Sequence, residues 1–231
     1  RHMGGHIPPP VKVRRVVCHD IGEGQGFSGK VVRADIEYDQ PAAAPSSVVI
    51  KLPGADPVIR DLLLHRDLFY REVIFYRDIA PTLAVLTPRV FCALIDEAAE
   101  DYVLILEDLG AIDNDPAAFL TVDALAAVLV AIAPAHAQYW NHPGMRAPWL
   151  VPISDAGDRA EDLARIADGV KLIAERQGPG VLLDCAREIE KHFPRAPTRF
   201  PVMKPYTLIH GDFHANNLAR LGTDVVFYDW Q

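Results

Sequence analysis

The ten residues LIHGDFHANN at 208–217 place two histidines, an aspartate and two asparagines directly behind an apolar run. Side chains of these types move protons, bind metals or hold phosphate. His210, Asp212 and Asn217 stand in the spacing H-x-D-x-x-x-x-N, and an apolar stretch a little further on leads into Tyr228-Asp229-Trp230. Asn217 and Asp229 offer hard oxygen atoms of the kind Mg²⁺ prefers. Asp212, five residues before Asn217, could orient an attacking hydroxyl and accept its proton. A competing chemistry is a zinc cluster of His210, Asp212 and His214. That would need a third well-spaced histidine, and neither His136 nor His192 has a suggestive setting.

Upstream, three features weak by themselves occur in a meaningful order. Gly24, Gly26, Ser28 and Gly29 lie in a GxGxxGxV stretch between two expected strands, a setting that disfavours a dinucleotide site built on a helix N-terminus. A glycine hairpin of this kind lets backbone N–H groups approach phosphate oxygens, although glycines are also routine turn residues. Lys51 ends the apolar run Val48-Val49-Ile50, where a strand-edge lysine with its ammonium in water is the plain alternative. Glu72 follows on a helix among Phe69, Val73 and Tyr76. Loop, strand lysine and helix glutamate in this order form the set that holds ATP. The loop covers the phosphates, Lys51 contacts them, and Glu72 fixes Lys51 through an ion pair.

The elements that must position these residues follow from pattern. Val11–Val17, Gly29–Tyr38 and Ser47–Leu52 are β-branched segments separated by turn residues, which predicts sequential antiparallel strands. Helical spacing between Pro57 and Pro81 predicts a helix after the third strand. Val90–Ile95 and Tyr102–Leu106 predict another strand pair. Beyond Asp108 the pattern turns helical. Asp123–Trp140 has Leu125, Val128, Leu129 and Ile132 on one stripe and Pro134 expected to kink or restart it. Arg159–Gln177 and Val181–Phe193 predict two further helices. Tyr206–Ile209, Leu218–Arg220 and Val225–Tyr228 are expected as short strands. Composition sets the outer bounds. Of 231 residues half are hydrophobic, enough for a substantial core. A net charge of -8 argues against a surface built to capture nucleic-acid phosphate. Three dispersed cysteines and the lack of a membrane-length apolar run point to a soluble, cytoplasmic protein.

Taken together, HGDFHANN at 210–217, YDWQ at 228–231, YREVIFY at 70–76, LILEDLG at 104–110 and AHAQYW at 135–140 resemble the aminoglycoside phosphotransferase and choline-kinase-like branch of the protein-kinase-like fold, most closely its ecdysteroid-kinase-like subgroup. The resemblance implies a bilobal α+β architecture, with an antiparallel-sheet N-lobe over residues 11–107 and a mainly helical, apparently incomplete C-lobe over 108–231. It implies ATP and Mg²⁺ as cofactors and a hydroxyl on a small molecule as acceptor, with no nucleic-acid or membrane partner. Asp212 would be the catalytic base, and Asn217 and Asp229 the metal ligands. Glu107, Asp108 and Leu109 would form a hinge whose backbone holds adenine, and His210 would buttress the loop. HGD in place of HRD, and DWQ in place of DFG, point away from protein kinases proper. Three departures stand out: Pro134 inside a helix, no lysine after Asp212, and a chain that stops two residues after Asp229. The last, with an apolar strand at Val225–Tyr228 expected to lie uncovered, suggests that these residues belong to a longer polypeptide. The alternative from another functional class is a nucleotide-binding module that transfers nothing.

Overall fold

The computed structural model of the chain describes residues 6–21, 29–54, 68–99, 101–110, 115–147, 149–150, 159–195 and 205–230. Strands β1 (Val13–Asp20), β2 (Lys30–Tyr38), β3 (Ser47–Leu52), β4 (Val90–Asp96) and β5 (Asp101–Glu107) form one antiparallel sheet in the order β1-β2-β3-β5-β4. Residues directly opposite across a strand pair share a face. On one face Ala34, Val48 and Phe91 are buried with Ile36, Ile50 and Ile105 packed around them. Lys51 projects to the other, opposite Val31 on β2 and the fully buried Leu104 on β5.

Helix α1 (Leu68–Ile74) packs against β4 and β5, then loosens into a π-turn at Phe75–Ile79 and a 3₁₀ turn at Ala80–Thr82. Val73, Phe75, Tyr76 and Ile79 are buried along it. The earlier part of the expected helix, residues 55–67, lies outside the described residues. Helix α2 (Val122–Gln138) starts at Thr121, whose Oγ1 accepts from the Ala124 N–H at 3.2 Å. Two expectations for it are corrected. Its buried stripe is Ala124, Val128, Ile132 and Ala135, while Leu125 and Leu129 are 48% and 61% exposed; a helix apolar on nearly every side carries no periodic signal for its inward face. Pro134 does not restart the helix, which is continuous from Val122 to Gln138. It sits on the exposed side, above the exposed Val130, whose freed carbonyl can turn to water.

The chain divides into two compact units, one of residues 1–149 with 205–231 and one of residues 150–204, so the boundary expected between 107 and 108 falls inside the first. The second unit contains α3 (Arg159–Gln177) and α4 (Val181–His192), packed on each other across the turn at Gly178, whose φ is +69°. In the first unit, Tyr206–Ile209 is not a strand. Its backbone is occupied instead by Asn141: the Asn141 N–H donates to the Tyr206 carbonyl at 2.8 Å, and the Tyr206 N–H donates to Asn141 Oδ1 at 3.2 Å. A two-stranded hairpin follows, β6 (Leu218–Leu221) and β7 (Asp224–Phe227), turned by Gly222 at φ +63°. Val225, Val226 and Phe227 are buried, and the Phe227 N–H donates to the Leu86 carbonyl at 2.9 Å. The strand expected to lie uncovered is therefore covered by the chain itself. Among the described residues no helix is long and apolar enough to cross a membrane.

Candidate functional site

Burying a polar side chain is unfavourable unless partners compensate it, so buried polar groups mark places where the fold serves something besides stability. Among the described residues these are Glu72, His210 and Asn217, at 5%, 2% and 5% exposure. All three belong to the motifs picked out by spacing.

Lys51 and Glu72 meet because β3 and α1 enclose them between the sheet face and the helix. Lys51 Nζ donates to Glu72 Oε1 at 2.6 Å and also bonds Asp229 Oδ1. Two carboxylates thus share one ammonium. Burial by itself would lower the Lys51 pKa, but Glu72 and Asp229 outweigh it and raise it, so the lysine stays charged. The carboxylates separate in the opposite sense. Burial, reinforced by repulsion from Asp229, pushes Glu72 up to about 7 despite Lys51. Burial also works against ionisation of Asp229, yet the close bond to Lys51 holds that carboxylate below its ordinary value. The same ammonium thus leaves the two carboxylates shifted in opposite directions, Glu72 up and Asp229 down.

The hairpin sets the spacing between the loop and Asp229. With Leu218 opposite Phe227, the next pair outward is Asn217 and Tyr228, and the Tyr228 N–H donates to the Asn217 carbonyl at 3.2 Å. Asp229 follows directly, in a left-handed conformation at φ +65° that few non-glycine residues adopt. Its N–H donates to the Tyr76 hydroxyl at 3.3 Å. Tyr76 is wholly buried. The sequence put Tyr76 beside Glu72 on the helix without revealing this contact; the available signal was a hydroxyl-bearing ring one helical turn after Glu72. Trp230 then stacks on Phe75 with ring centres 4.5 Å apart and lies 4.6 Å from the His210 ring. The residue after the aspartate thereby ties α1's continuation to the loop.

Within the loop, Asn217 Nδ2 donates to the Asp212 carbonyl at 2.9 Å and to Asp212 Oδ2 at 3.1 Å. His210 Nε2 donates to the Tyr228 carbonyl at 2.9 Å, while its Nδ1 is buried without a partner. Burial drives this imidazole down to about 4, so it is neutral and serves the loop as a brace. Zinc chemistry finds no support here: among the described residues no group of three or more His, Cys, Asp or Glu side chains is arranged to hold a metal ion. The oxygen set that could hold one is Asp229 with the Oδ1 of Asn217, whose amide nitrogen is already used.

Not every expected residue joins this centre. Gly24, Gly26 and Ser28 lie outside the described residues. Gly29 has φ +130°, and a Cβ there would come within 2.5 Å of the Leu52 carbonyl oxygen. A side chain is excluded by the backbone next to Lys51. At the expected hinge the Glu107 N–H is taken by the Arg89 carbonyl at 2.8 Å. Asp108 accepts from Arg33 Nε at 2.6 Å and from the Gly110 N–H at 2.8 Å, which pins the segment carrying Leu109 to β2.

A model of the ecdysteroid kinase-like family matches residues 23–138, half of the chain. The matched stretch contains Lys51, Glu72 and Glu107 to Leu109 and ends before the loop of Asp212. Among solved structures, that of the gentamicin–APH(2″)-IIa complex is similar at a TM-score of 0.49 and 16% identity, over 94% of this chain and 64% of that one. This chain thus spans 64% of that neighbour's length. No curated protein matches it.

Proposed function

The chain belongs to the ecdysteroid kinase-like family, and from that premise we propose that it transfers the γ-phosphoryl group of ATP, bound with Mg²⁺, to a hydroxyl of a small molecule. The observation that carries this reading is the Lys51 ammonium held between Glu72 on α1 and Asp229 behind β7. Phosphoryl transfer asks for positioning and charge neutralisation more than for covalent chemistry. A permanently charged lysine, fixed by one carboxylate and set beside another, supplies both.

The donors suit Mg²⁺, which takes oxygen ligands. Asn217 has only its Oδ1 left to offer, and Asp229 is kept ionised. Those two residues would hold the metal. Lys51, the glycine segment ending at Gly29 and the backbone of Glu107 to Leu109 would hold the nucleotide. Bound there, ATP and Mg²⁺ supply the phosphoryl group and the charge that stabilises its transfer. Asp212, about half exposed, takes the proton of the acceptor hydroxyl as the new O–P bond forms and the bond to ADP breaks.

Titration calorimetry with Mg·ATP, followed by an ADP-release screen over aminoglycosides, choline, sugars and sterols, tests this. The expected result is nucleotide binding and acceptor-dependent ADP release, with Lys51→Met losing roughly 100-fold or more in turnover, as the removal of a preorganised charge does. A wild-type protein that binds no Mg·ATP would overturn the reading. Binding without release to any acceptor would favour the nucleotide-binding module instead.

A further inference from the structure

The sequence left His214 without a role, and the proposed reaction does not yet use it. In the structure His214 caps the 3₁₀ turn Ala215–Asn217, with its Nδ1 accepting from the Asn216 N–H at 3.2 Å. An imidazole nitrogen that accepts from a backbone N–H carries no proton of its own, so in the neutral ring the proton is on Nε2. Nε2 lies 3.2 Å from Asp212 Oδ2. The same oxygen accepts from Asn217 Nδ2 at 3.1 Å, and the two donor nitrogens are 3.3 Å apart. Both donors therefore converge on one oxygen of the carboxylate. Its other oxygen, Oδ1, accepts no hydrogen bond from the described residues, and the side chain is 44% exposed.

From this geometry we propose that His214 is a positioning residue for the base. Backbone capping selects its Nε2–H tautomer, and that N–H, with Asn217, locks the rotation of the Asp212 carboxylate so that Oδ1 faces the acceptor hydroxyl. The inference rests on Asp212 being the base in the function proposed above. Asn217 would then have two tasks on two atoms, Nδ2 on Asp212 and Oδ1 on the cation. Turning either Asp212 or Asn217 without His214 in place leaves the second donor unsupported. His214 is 46% exposed, so its removal uncovers little buried surface; besides the contact to the carboxylate it takes away the cap on the turn Ala215–Asn217, and the melting temperature reads that second loss.

The test compares wild type, His214→Phe, His214→Gln and Asp212→Ala in ADP release, with KM for ATP, Mg·ATP affinity and melting temperature measured for each. Release is read with the best acceptor from the screen, or with water if none is found. His214→Phe should lower kcat by roughly 10- to 100-fold, the scale on which a misplaced catalytic group acts, at unchanged KM for ATP, affinity and melting temperature. His214→Gln restores an N–H donor and should recover most of the loss. A full-rate His214→Phe would overturn the proposal. So would a loss that His214→Gln shares equally, or one that tracks a drop in melting temperature. Asp212→Ala separates the two levels. If it keeps turnover, the reading of Asp212 as the base fails; if it is inactive while His214→Phe is not, only the role of His214 fails.

Discussion

At the scale of single residues, the buried centre makes two opposed pH dependences. The folded protein holds a proton on Glu72 up to about pH 7, whereas an ordinary glutamate gives it up near 4.5. The folded state binds more protons across that window, so this group's contribution to stability falls as pH rises from about 4.5 to about 7. His210 works the other way. Its ordinary value is 6.5 and burial takes it to about 4, so the unfolded chain binds more protons and stability falls as pH drops through that range. The two slopes oppose each other where they overlap. Replacing either residue should expose the remaining one. The melting temperature of Glu72→Gln relative to wild type should rise from pH 4.5 to 7, and that of His210→Gln relative to wild type should rise as pH falls from 6.5 to 4. Calorimetric melts across both windows check this, and parallel profiles for the three proteins would contradict it. The identities of these residues were visible in the sequence. Their burial was not, because a glutamate and a histidine are ordinarily exposed and only tertiary packing takes them out of water.

At the scale of elements, two contacts hold the groups of the proposed site in register. Trp230 stacks on Phe75 and leans on His210, joining the π-turn after α1 to the loop before β6. Trp230→Ala removes a side chain that is 1% exposed, and the expected loss is about 3–5 kcal/mol, measured by denaturant unfolding. Trp230→Phe should recover part of it. Gly29 is the second contact: its φ of +130°, and a Leu52 carbonyl oxygen only 2.5 Å from where a Cβ would stand, leave no room for a side chain. Gly29→Ala should therefore destabilise the β2–β3 edge by about 1–3 kcal/mol, again read from unfolding. The five sheet strands were legible as elements because β-branched runs between turn residues leave few alternatives. Their order was less so: β5 rather than β4 lies beside β3, and no local pattern dictates which strand a returning chain will pair with. The inward face of α2 was misread for a related reason. Alanine, valine and leucine on all sides of a helix bury equally well, and neighbours decide which are covered.

At the scale of the whole molecule, the residues proposed for catalysis all lie in the unit of residues 1–149 and 205–231. Residues 150–204 form their own unit, in which Leu183 is the one buried hydrophobic side chain among the described residues. Local stability follows buried apolar contact. Amide hydrogen exchange in α3 and α4 should therefore be faster than in β3 and β5 by at least about tenfold, equivalent to about 1.4 kcal/mol of opening free energy. Mass spectrometry of exchanged peptides would show it, and equal protection would refute it. By itself the sequence determined the chemical inventory: a strand lysine, a helix glutamate, and a loop with aspartate and asparagine ahead of a second aspartate. Residue types and local spacing are written in one dimension. The pairing of Lys51 with Glu72 could be expected from their order, but tertiary structure alone decided that the same ammonium would also bond a carboxylate 178 residues away, that Tyr76 would brace Asp229, and that His214 would turn toward Asp212. Those outcomes depend on distances between segments remote in the chain, which only packing sets.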